Sequence, residues 1–160
     1  MTSHSFFVTV GSTDFDLLVQ SFDDLMPQLI DNQDMEIEAI AQIGHGKYEP
    51  THIPFFRFAN PLDPYYHKSS IVIAHGGLAT TMEVLKLGIP LISVSNLDRY
   101  DNHQDDLLST MADLGYLVWC RKLDDLGQAI DQAMTTPLKT YETPECNIHT
   151  VIHDFLSVDA

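Results

Sequence analysis

The sequence predicts an α/β fold, a single Rossmann-like domain in which helices cover both faces of a doubly wound parallel sheet. Three observations lead to this class. Short apolar segments alternate with longer segments whose apolar residues recur every three or four positions, the pattern of βα units. Some of the short segments, such as 71–74 (IVIA), are continuously apolar, as in parallel strands that are covered on both faces. The length of 160 residues suits one domain, over residues 1–160, with a sizeable core.

The predicted strands are short apolar runs bounded by glycine, proline or polar residues. In chain order they cover residues 6–10, 36–43, 55–58, 70–74, 91–94 and 117–120. The predicted helices lie at about residues 15–30, 61–68, 79–87, 102–114, 123–134 and 148–156. Thr13 or Asp14 is the expected N-cap of the first helix, Gly88 and Pro90 close the third, and Gly115 ends the fourth.

Two glycine-bearing loops are predicted to meet at one edge of this sheet. One follows the first strand and reads Gly11-Ser12-Thr13, and the other follows the fourth strand and reads His75-Gly76-Gly77. In the strand order 3-2-1-4-5-6, the loops after strands one and four flank the point at which the order reverses, where such folds bind ligands. We therefore expect both loops to line one cleft.

The second loop opens a helix whose start is suited to an anion. Glycines permit close approach of the backbone, and Thr80 and Thr81 follow in the first turn, where N–H groups and the helix dipole favour negative charge. Glu83 follows further along, where a carboxylate can accept hydrogen bonds from ribose hydroxyls. Each feature also has a purely structural alternative: turn glycines, capping threonines and a solvated glutamate. Their combination favours a nucleotide site.

A second polar run, Asp101-Asn102-His103-Gln104, follows the fifth strand. Asp101 or Asn102 can cap the next helix, but Gln104 has no capping role. We therefore expect the side chain of Gln104 to point away from the helix cap.

The histidines do not predict a metal site. His149 and His153 are four residues apart on a predicted helix, but the glutamate of an HExxH motif is missing. His75 is a candidate general base, although a histidine after a strand more often shapes its loop. Because P-loop and GxSxG motifs are also missing, a hydrolase has little support.

The charge excludes several classes of partner. Eight Lys and Arg stand against 23 Asp and Glu, for a net charge of −15, so nucleic acid and an anionic membrane surface would both be repelled. No apolar run is long enough to span a bilayer, and the N-terminus is unlike a signal peptide. Cys120 and Cys146 have no metal or redox spacing and are expected to be free thiols in the cytoplasm.

These motifs resemble a known family. The run 75–83 (HGGLATTME), then Gly88-x-Pro90 and the tetrapeptide 101–104, are similar to the C-terminal, donor-binding half of two-domain inverting glycosyltransferases of the GT-B type. The likeness is strongest to small separate subunits that correspond to that half, such as those of the dolichol-linked N-acetylglucosaminyltransferase and of bacterial exopolysaccharide synthesis. The segment 7–13 (FVTVGST) is similar to the opening of those subunits.

The resemblance implies roles for individual residues. The diphosphate of a UDP-sugar would contact Gly11, Ser12, Gly77 and Thr80, with Thr13, His75 and Gly76 in the same loops. Glu83 would hold the ribose. Asn102 and Gln104 would face the sugar or its phosphate, with His103 between them.

The resemblance also implies the reaction and the partners. A sugar would pass from a UDP-sugar to a lipid-linked saccharide with inversion, without a metal or other cofactor. A membrane-anchored subunit would supply the acceptor site and hold this chain at the cytoplasmic side of the membrane. Two alternatives remain open: a stand-alone nucleotide-binding or sensory module, and a nucleotide-sugar epimerase, which would need both domains in one chain.

Overall fold

The computed structural model describes residues 3–31, 36–96 and 103–157. Within these ranges the strands are β1 (Ser3–Thr9), β2 (Glu36–Gln42), β3 (Phe55–Phe56), β4 (Ile71–His75), β5 (Leu91–Val94) and β6 (Val118–Cys120). The helices are α1 (Asp16–Asp31), α2 (Asp63–Lys68), α3 (Leu78–Lys86), α4 (His103–Asp113), α5 (Leu126–Thr135) and α6 (Ile148–Ser157). A 3-10 turn at Leu123–Asp125 precedes α5. Every predicted strand and helix is present, with ends within a few residues of those expected.

All six strands are parallel and lie in the order β3-β2-β1-β4-β5-β6, so the predicted order is confirmed. β1 is central: Phe6 is aligned with Ala39 of β2 on one side and with Ile71 of β4 on the other. The order reverses between β1 and β4. The chain therefore leaves these two strands in opposite directions, and a crevice opens between their carboxyl ends.

Successive residues of β1 enter two different hydrophobic layers. Phe6 and Val8 pack in the layer that contains α1 and α5, whereas Phe7 packs in the layer that contains α2, α3 and α4. Phe7 is fully buried, and its ring lies 5.5 Å from that of Tyr65. Each such side chain contributes about 1.5–3 kcal/mol through burial. The central strands thus form a packed base beneath the crevice.

The first helix begins later than its predicted N-cap. The carbonyl of Phe15 accepts the N–H of Val19 at 3.3 Å, so the first helical turn starts from Phe15 rather than from Thr13 or Asp14. Thr13 has a different role: its N–H and hydroxyl both donate to the carbonyl of Val10, at 3.2 and 2.7 Å. The threonine therefore closes the turn after β1.

The last helix, α6, lies exposed along its whole length. Its apolar residues recur at helical spacing, and their exposed fractions exceed one half; they are Ile148, Val151, Ile152, Phe155 and Leu156. His149 and His153 are on the same helix and are exposed as well. In the described part of the chain, no helix combines the length and apolar character needed to cross a membrane.

Candidate functional site

A cleft of about 280 Å³ opens at the carboxyl ends of β1 and β4. Four elements line it: the loop after β1, the loop after β4 with the first turn of α3, the segment after β5, and the first turn of α4. The lining residues are Gly11, Ser12, Thr13, His75, Gly77, Leu78, Ala79, Thr80, Asn96 and Gln104. The two predicted loops therefore meet in one cleft, at the reversal of strand order.

The loop after β1 is a tight turn built on Gly11. This glycine has a φ of 63°, in the left-handed region that costs a residue with a side chain about 1–2 kcal/mol. Its N–H donates to the hydroxyl of Thr9 at 3.1 Å, and Thr9 in turn donates to the side-chain carbonyl of Gln42. Both Thr9 and Gln42 are buried. A polar pair inside the sheet thus holds the backbone of the loop in place.

The imidazole of His75 is packed between the two glycine loops. A Cβ added to Gly11 would lie 2.8 Å from Cε1 of the ring, and a Cβ added to Gly77 would lie 2.5 Å from Nε2. Ordinary contact between such atoms is about 3.5–4.0 Å, so neither position has room for a side chain. The absence of a side chain at both positions lets the ring form one wall of the cleft.

The start of α3 is open to the cleft. Gly77 is the N-cap, no side chain caps the helix, and its first turn carries no acidic residue. Leu78, Ala79 and Thr80 line the cleft, so the N–H groups of this turn and the positive end of the helix dipole face it. None of the described lining residues is Lys or Arg. The cleft can therefore hold an anion through backbone donors and hydroxyl groups.

Gly76 is packed against α4 and is not among the residues that line the cleft. It is buried, and a Cβ there would lie 2.8 Å from Cδ1 of Leu108 on α4. Gln104 passes close by, with Oε1 3.6 Å from that Cβ position, and reaches the cleft. Gly76 therefore lets α4 approach closely enough for Gln104 to line the site. Asn102 lies outside the described residues, as does the side chain of His103.

Glu83 is exposed on α3 and is not among the lining residues. Its carboxylate accepts a hydrogen bond from the hydroxyl of Tyr66 at 3.3 Å. Tyr66 is fully buried on α2, and its pKa is raised by burial and by the negative charge of Glu83. The phenol therefore stays protonated and acts as a donor that orients the glutamate.

A pair of rings, absent from the sequence-based prediction, stands at the neighbouring strand ends. His45 follows β2 and Phe58 follows β3; both are exposed, and their rings meet edge to face with centroids 4.8 Å apart. The N–H of His45 donates to the carbonyl of Thr13 at 3.2 Å, which ties this loop to the cleft. No short motif marks the pair, because it forms only when β2 and β3 lie side by side.

The loop after β2 is anchored to α1 by the buried carboxylate of Asp23. Oδ2 accepts the hydroxyl of Tyr48 at 2.8 Å and the N–H of Thr51 at 2.9 Å, and Oδ1 accepts the N–H of His52 at 2.9 Å. Burial by itself raises the pKa of Asp23, but the hydrogen bonds from Thr51, His52 and Tyr48 outweigh it and hold the pKa below its usual value. The carboxylate is thus ionised at neutral pH and holds the loop beside the cleft.

Metal chemistry has no evident ligand set here. Among the side chains that the structure describes, no three His, Cys, Asp or Glu are grouped as a metal site would require. Cys120 is buried, and burial together with the charge of Asp125 raises its pKa to about 11, so its thiol is protonated.

Asn96 completes the lining of the cleft and is not predicted from the sequence, because a polar residue after a strand has no distinctive pattern.

Comparison with known proteins assigns the family. Residues 5–156 match the model of the glycosyltransferase family 28 C-terminal domain. The chain belongs to this family. The resemblance of its motifs to the C-terminal half of such glycosyltransferases is thereby confirmed.

Curated relatives of this chain include subunits of a UDP-N-acetylglucosamine transferase. The chain is 36% identical over 136 residues to the human UDP-N-acetylglucosamine transferase subunit ALG13, across 77% of this chain and 12% of that protein. It is 28% identical over 108 residues to the subunit of the same name from Debaryomyces hansenii, across 63% of this chain and 50% of that protein. The chain thus spans from about a tenth to a half of these relatives.

Solved structures support the fold. The NMR structure of ALG13 superimposes with a TM-score of 0.62 at 20% identity and covers 90% of this chain and 91% of that one. MurG of Acinetobacter baumannii gives a TM-score of 0.61 at 17% identity, over 84% of this chain and 42% of that one. The expected GT-B C-terminal type of sheet is therefore confirmed.

Proposed function

We propose that this chain is the donor-binding subunit of an inverting glycosyltransferase that takes its sugar from a UDP-sugar. The observation that carries the proposal is the open start of α3, which faces the Gly11–Thr13 loop at the reversal of strand order. A diphosphate bound there would accept hydrogen bonds from the N–H groups of Ala79 and Thr80, while Ser12 offers a hydroxyl. The family assignment and the names of the relatives make UDP-N-acetylglucosamine the first donor to test.

The remaining parts of the ligand have matching partners around the cleft. The amides of Gln104 and Asn96 can donate to and accept from sugar hydroxyls. Glu83, oriented by Tyr66, is available to ribose hydroxyls if the nucleoside extends over α3. The exposed ring of Phe58 offers an apolar face to a nucleobase on the β3 side.

The chemistry proposed is a single in-line displacement. An acceptor hydroxyl loses its proton to a base and attacks the anomeric carbon; the carbon–oxygen bond to UDP breaks, and UDP leaves with the electron pair. Donors already aimed at the diphosphate stabilise the charge that grows on it during this step. His75 lines the cleft and stays the candidate base of this chain, although its packing between two glycines is explained by shape alone.

A second protein completes the proposed enzyme. Attack requires the acceptor oxygen to be held about 3 Å from the anomeric carbon, with water excluded by an opposing wall. We propose that a membrane-anchored subunit supplies this wall and binds a lipid-linked saccharide. The purified chain is then expected to bind UDP without transferring sugar, and to enter the membrane fraction only with its partner.

The test is calorimetric titration of the purified chain with UDP, ADP, GDP and uridine, repeated on Ala79→Glu. The new carboxylate lies in the first turn of α3, where it stabilises the helix but repels a diphosphate. We expect UDP affinity to fall about tenfold or more, because the repulsion between two nearby like charges in a protein cleft amounts to a few kcal/mol. The affinity for uridine, which carries no phosphate, should not change.

The matched control is Gln128→Glu, which adds an exposed carboxylate to the first turn of α5, away from the cleft. It should leave UDP affinity unchanged. Absence of UDP binding at millimolar concentration, preference for a purine nucleotide, or equal loss in both variants would reject the proposal. Binding of UDP without transfer, even with the co-purified partner, would favour the stand-alone nucleotide-binding module.

A further inference from the structure

A hydrogen-bonded relay joins three elements beside the cleft. The indole N–H of Trp119 on β6 donates to the hydroxyl of Ser95 at 2.9 Å, and Ser95 donates to Oδ1 of Asp105 at 2.8 Å. Ser95 is only 7% exposed. Because the hydroxyl accepts from the indole, its single proton is directed to the carboxylate. The relay therefore has one direction and holds β5, β6 and the first turn of α4 together.

Two members of the relay, Ser95 and Asp105, are each next in sequence to an amide side chain that lines the cleft. Ser95 is followed by Asn96, and Asp105 is preceded by Gln104; both neighbours line the cleft. The N–H of Ser95 also donates to the carbonyl of Cys120 at 3.2 Å, which ties the end of β5 to β6. Any movement of Asp105 relative to Ser95 would therefore move one amide relative to the other.

The outer end of the relay is covered by a cation. The guanidinium carbon of Arg121 lies 4.5 Å from the ring centroid of Trp119. A cation over an indole is attracted to the ring face and keeps the ring from turning. Arg121 thereby helps to hold the indole N–H on Ser95.

We propose that Asp105 is a positioning residue that sets the spacing of Gln104 and Asn96 and so selects among UDP-sugars by their hydroxyl pattern. The inference rests on the proposed function. Selection between sugars that differ at one hydroxyl depends on polar groups held in fixed positions, because a displaced amide leaves a buried group unpaired. A carboxylate at the start of α4 also interacts favourably with the helix dipole, which is a purely structural role. The test must distinguish that role from the positioning of the two amides.

The test compares Asp105→Asn with Asp106→Asn on the full chain. Both remove one negative charge from the first turn of α4, but Asp106 is exposed. Affinities for UDP, UDP-N-acetylglucosamine, UDP-glucose and UDP-galactose are measured by calorimetry, together with the melting temperature. For Asp105→Asn we expect unchanged UDP affinity and about fivefold lower discrimination among the three sugars, because a charge-assisted hydrogen bond from Ser95 becomes a weaker bond to a neutral amide oxygen. Asp106→Asn should match the unmodified chain.

Trp119→Phe is the second variant, since it keeps a ring in the layer but removes the indole N–H. It should reduce sugar discrimination in the same direction, and combination with Asp105→Asn should add little, because both act on one relay. Equal loss for UDP and UDP-sugars that follows a fall in melting temperature would overturn the proposal, as would unchanged discrimination in Asp105→Asn. If the unmodified chain binds no UDP, the proposed function itself fails, and this inference fails with it.

Discussion

Replacement of Gly77 by alanine would test whether the His75 ring is wedged between the two loops. Gly77 has a φ of −69° and a ψ of 134°, a conformation that alanine adopts without strain. The new Cβ would nevertheless lie 2.5 Å from Nε2 of His75, about 1 Å inside ordinary contact. A Cβ added at Gly11 would lie 2.8 Å from Cε1 of the same ring, so both loops already approach it closely. We expect a loss of about 1–3 kcal/mol in the free energy of unfolding, the usual cost of overpacking.

Binding should suffer along with stability. The displaced ring, or a displaced loop, would shift the N–H groups at the start of α3 away from the diphosphate. Loss of one hydrogen bond to a charged group costs about 1.5–3 kcal/mol, so UDP affinity should fall about tenfold or more. Urea unfolding and calorimetric titration with UDP measure the two effects separately.

Two further glycines separate the clash from backbone strain. Gly88 has a φ of 70°, and an added Cβ there meets nothing within 4 Å, so Gly88→Ala should cost only about 1–2 kcal/mol of left-handed strain and leave UDP binding intact. Gly11→Ala combines strain with the clash and should be worse than either. His75→Ala combined with Gly77→Ala should recover part of the lost stability, because the obstructing ring is gone. If the stability losses of these two substitutions are strictly additive, or if Gly77→Ala is as stable as the unmodified chain, the His75 ring is not wedged between the loops.

Three further predictions concern single side chains. Asp23→Asn should lower the free energy of unfolding by about 2–4 kcal/mol at pH 7, whereas Asp24→Asn, at an exposed position, should have little effect. Because the folded-state pKa of Asp23 lies below its unfolded value, its contribution is complete above the unfolded pKa and disappears as the pH falls through the folded one. Urea unfolding between pH 7 and pH 3 should therefore show the stability difference between Asp23→Asn and the unmodified chain becoming smaller. Glu83→Ala should weaken UDP binding by about 1–3 kcal/mol in calorimetry if the carboxylate holds the ribose, and Tyr66→Phe should do so less; unchanged affinity in Glu83→Ala would leave the glutamate a surface residue. Gln104→Ala should reduce affinity for UDP-sugar more than for UDP, and equal losses would mean that Gln104 only stabilises its helix.

The strand order and the position of the cleft were predictable because both follow from local patterns. Continuous apolar runs predict parallel strands, and glycines directly after strands one and four predict the loops at the reversal point. The sequence predicts one environment for the two glycines of the second loop, whereas the fold gives them different neighbours. Gly76 faces Leu108 on α4 and Gly77 faces His75, a division that depends on where the next helix packs.

Other features of the site can be recognised only in the folded structure. Asp23 and Asp24 are adjacent acidic residues in a helical segment, and only the position of the loop after β2 makes the first buried and the second exposed. The donor of the hydrogen bond to Glu83 is Tyr66, seventeen positions away on a different helix. Such contacts between distant segments carry no signal in the spacing of residues along the chain.

A site built from backbone donors in an acidic protein should respond to salt in the opposite way from a site built from lysines. The chain carries a net charge of −15, and no described lining residue is Lys or Arg, so the long-range field repels UDP while the binding that we propose comes from short-range N–H groups. The Debye length falls from about 30 Å at 0.01 M to about 10 Å at 0.1 M, which screens the repulsion far more than the direct contacts. We therefore expect UDP affinity to stay level or to rise by about twofold to threefold over this range, while binding of uncharged uridine stays constant. Calorimetric titration at the two ionic strengths measures both ligands, and a marked fall in UDP affinity would mean that a cation outside the described lining holds the diphosphate.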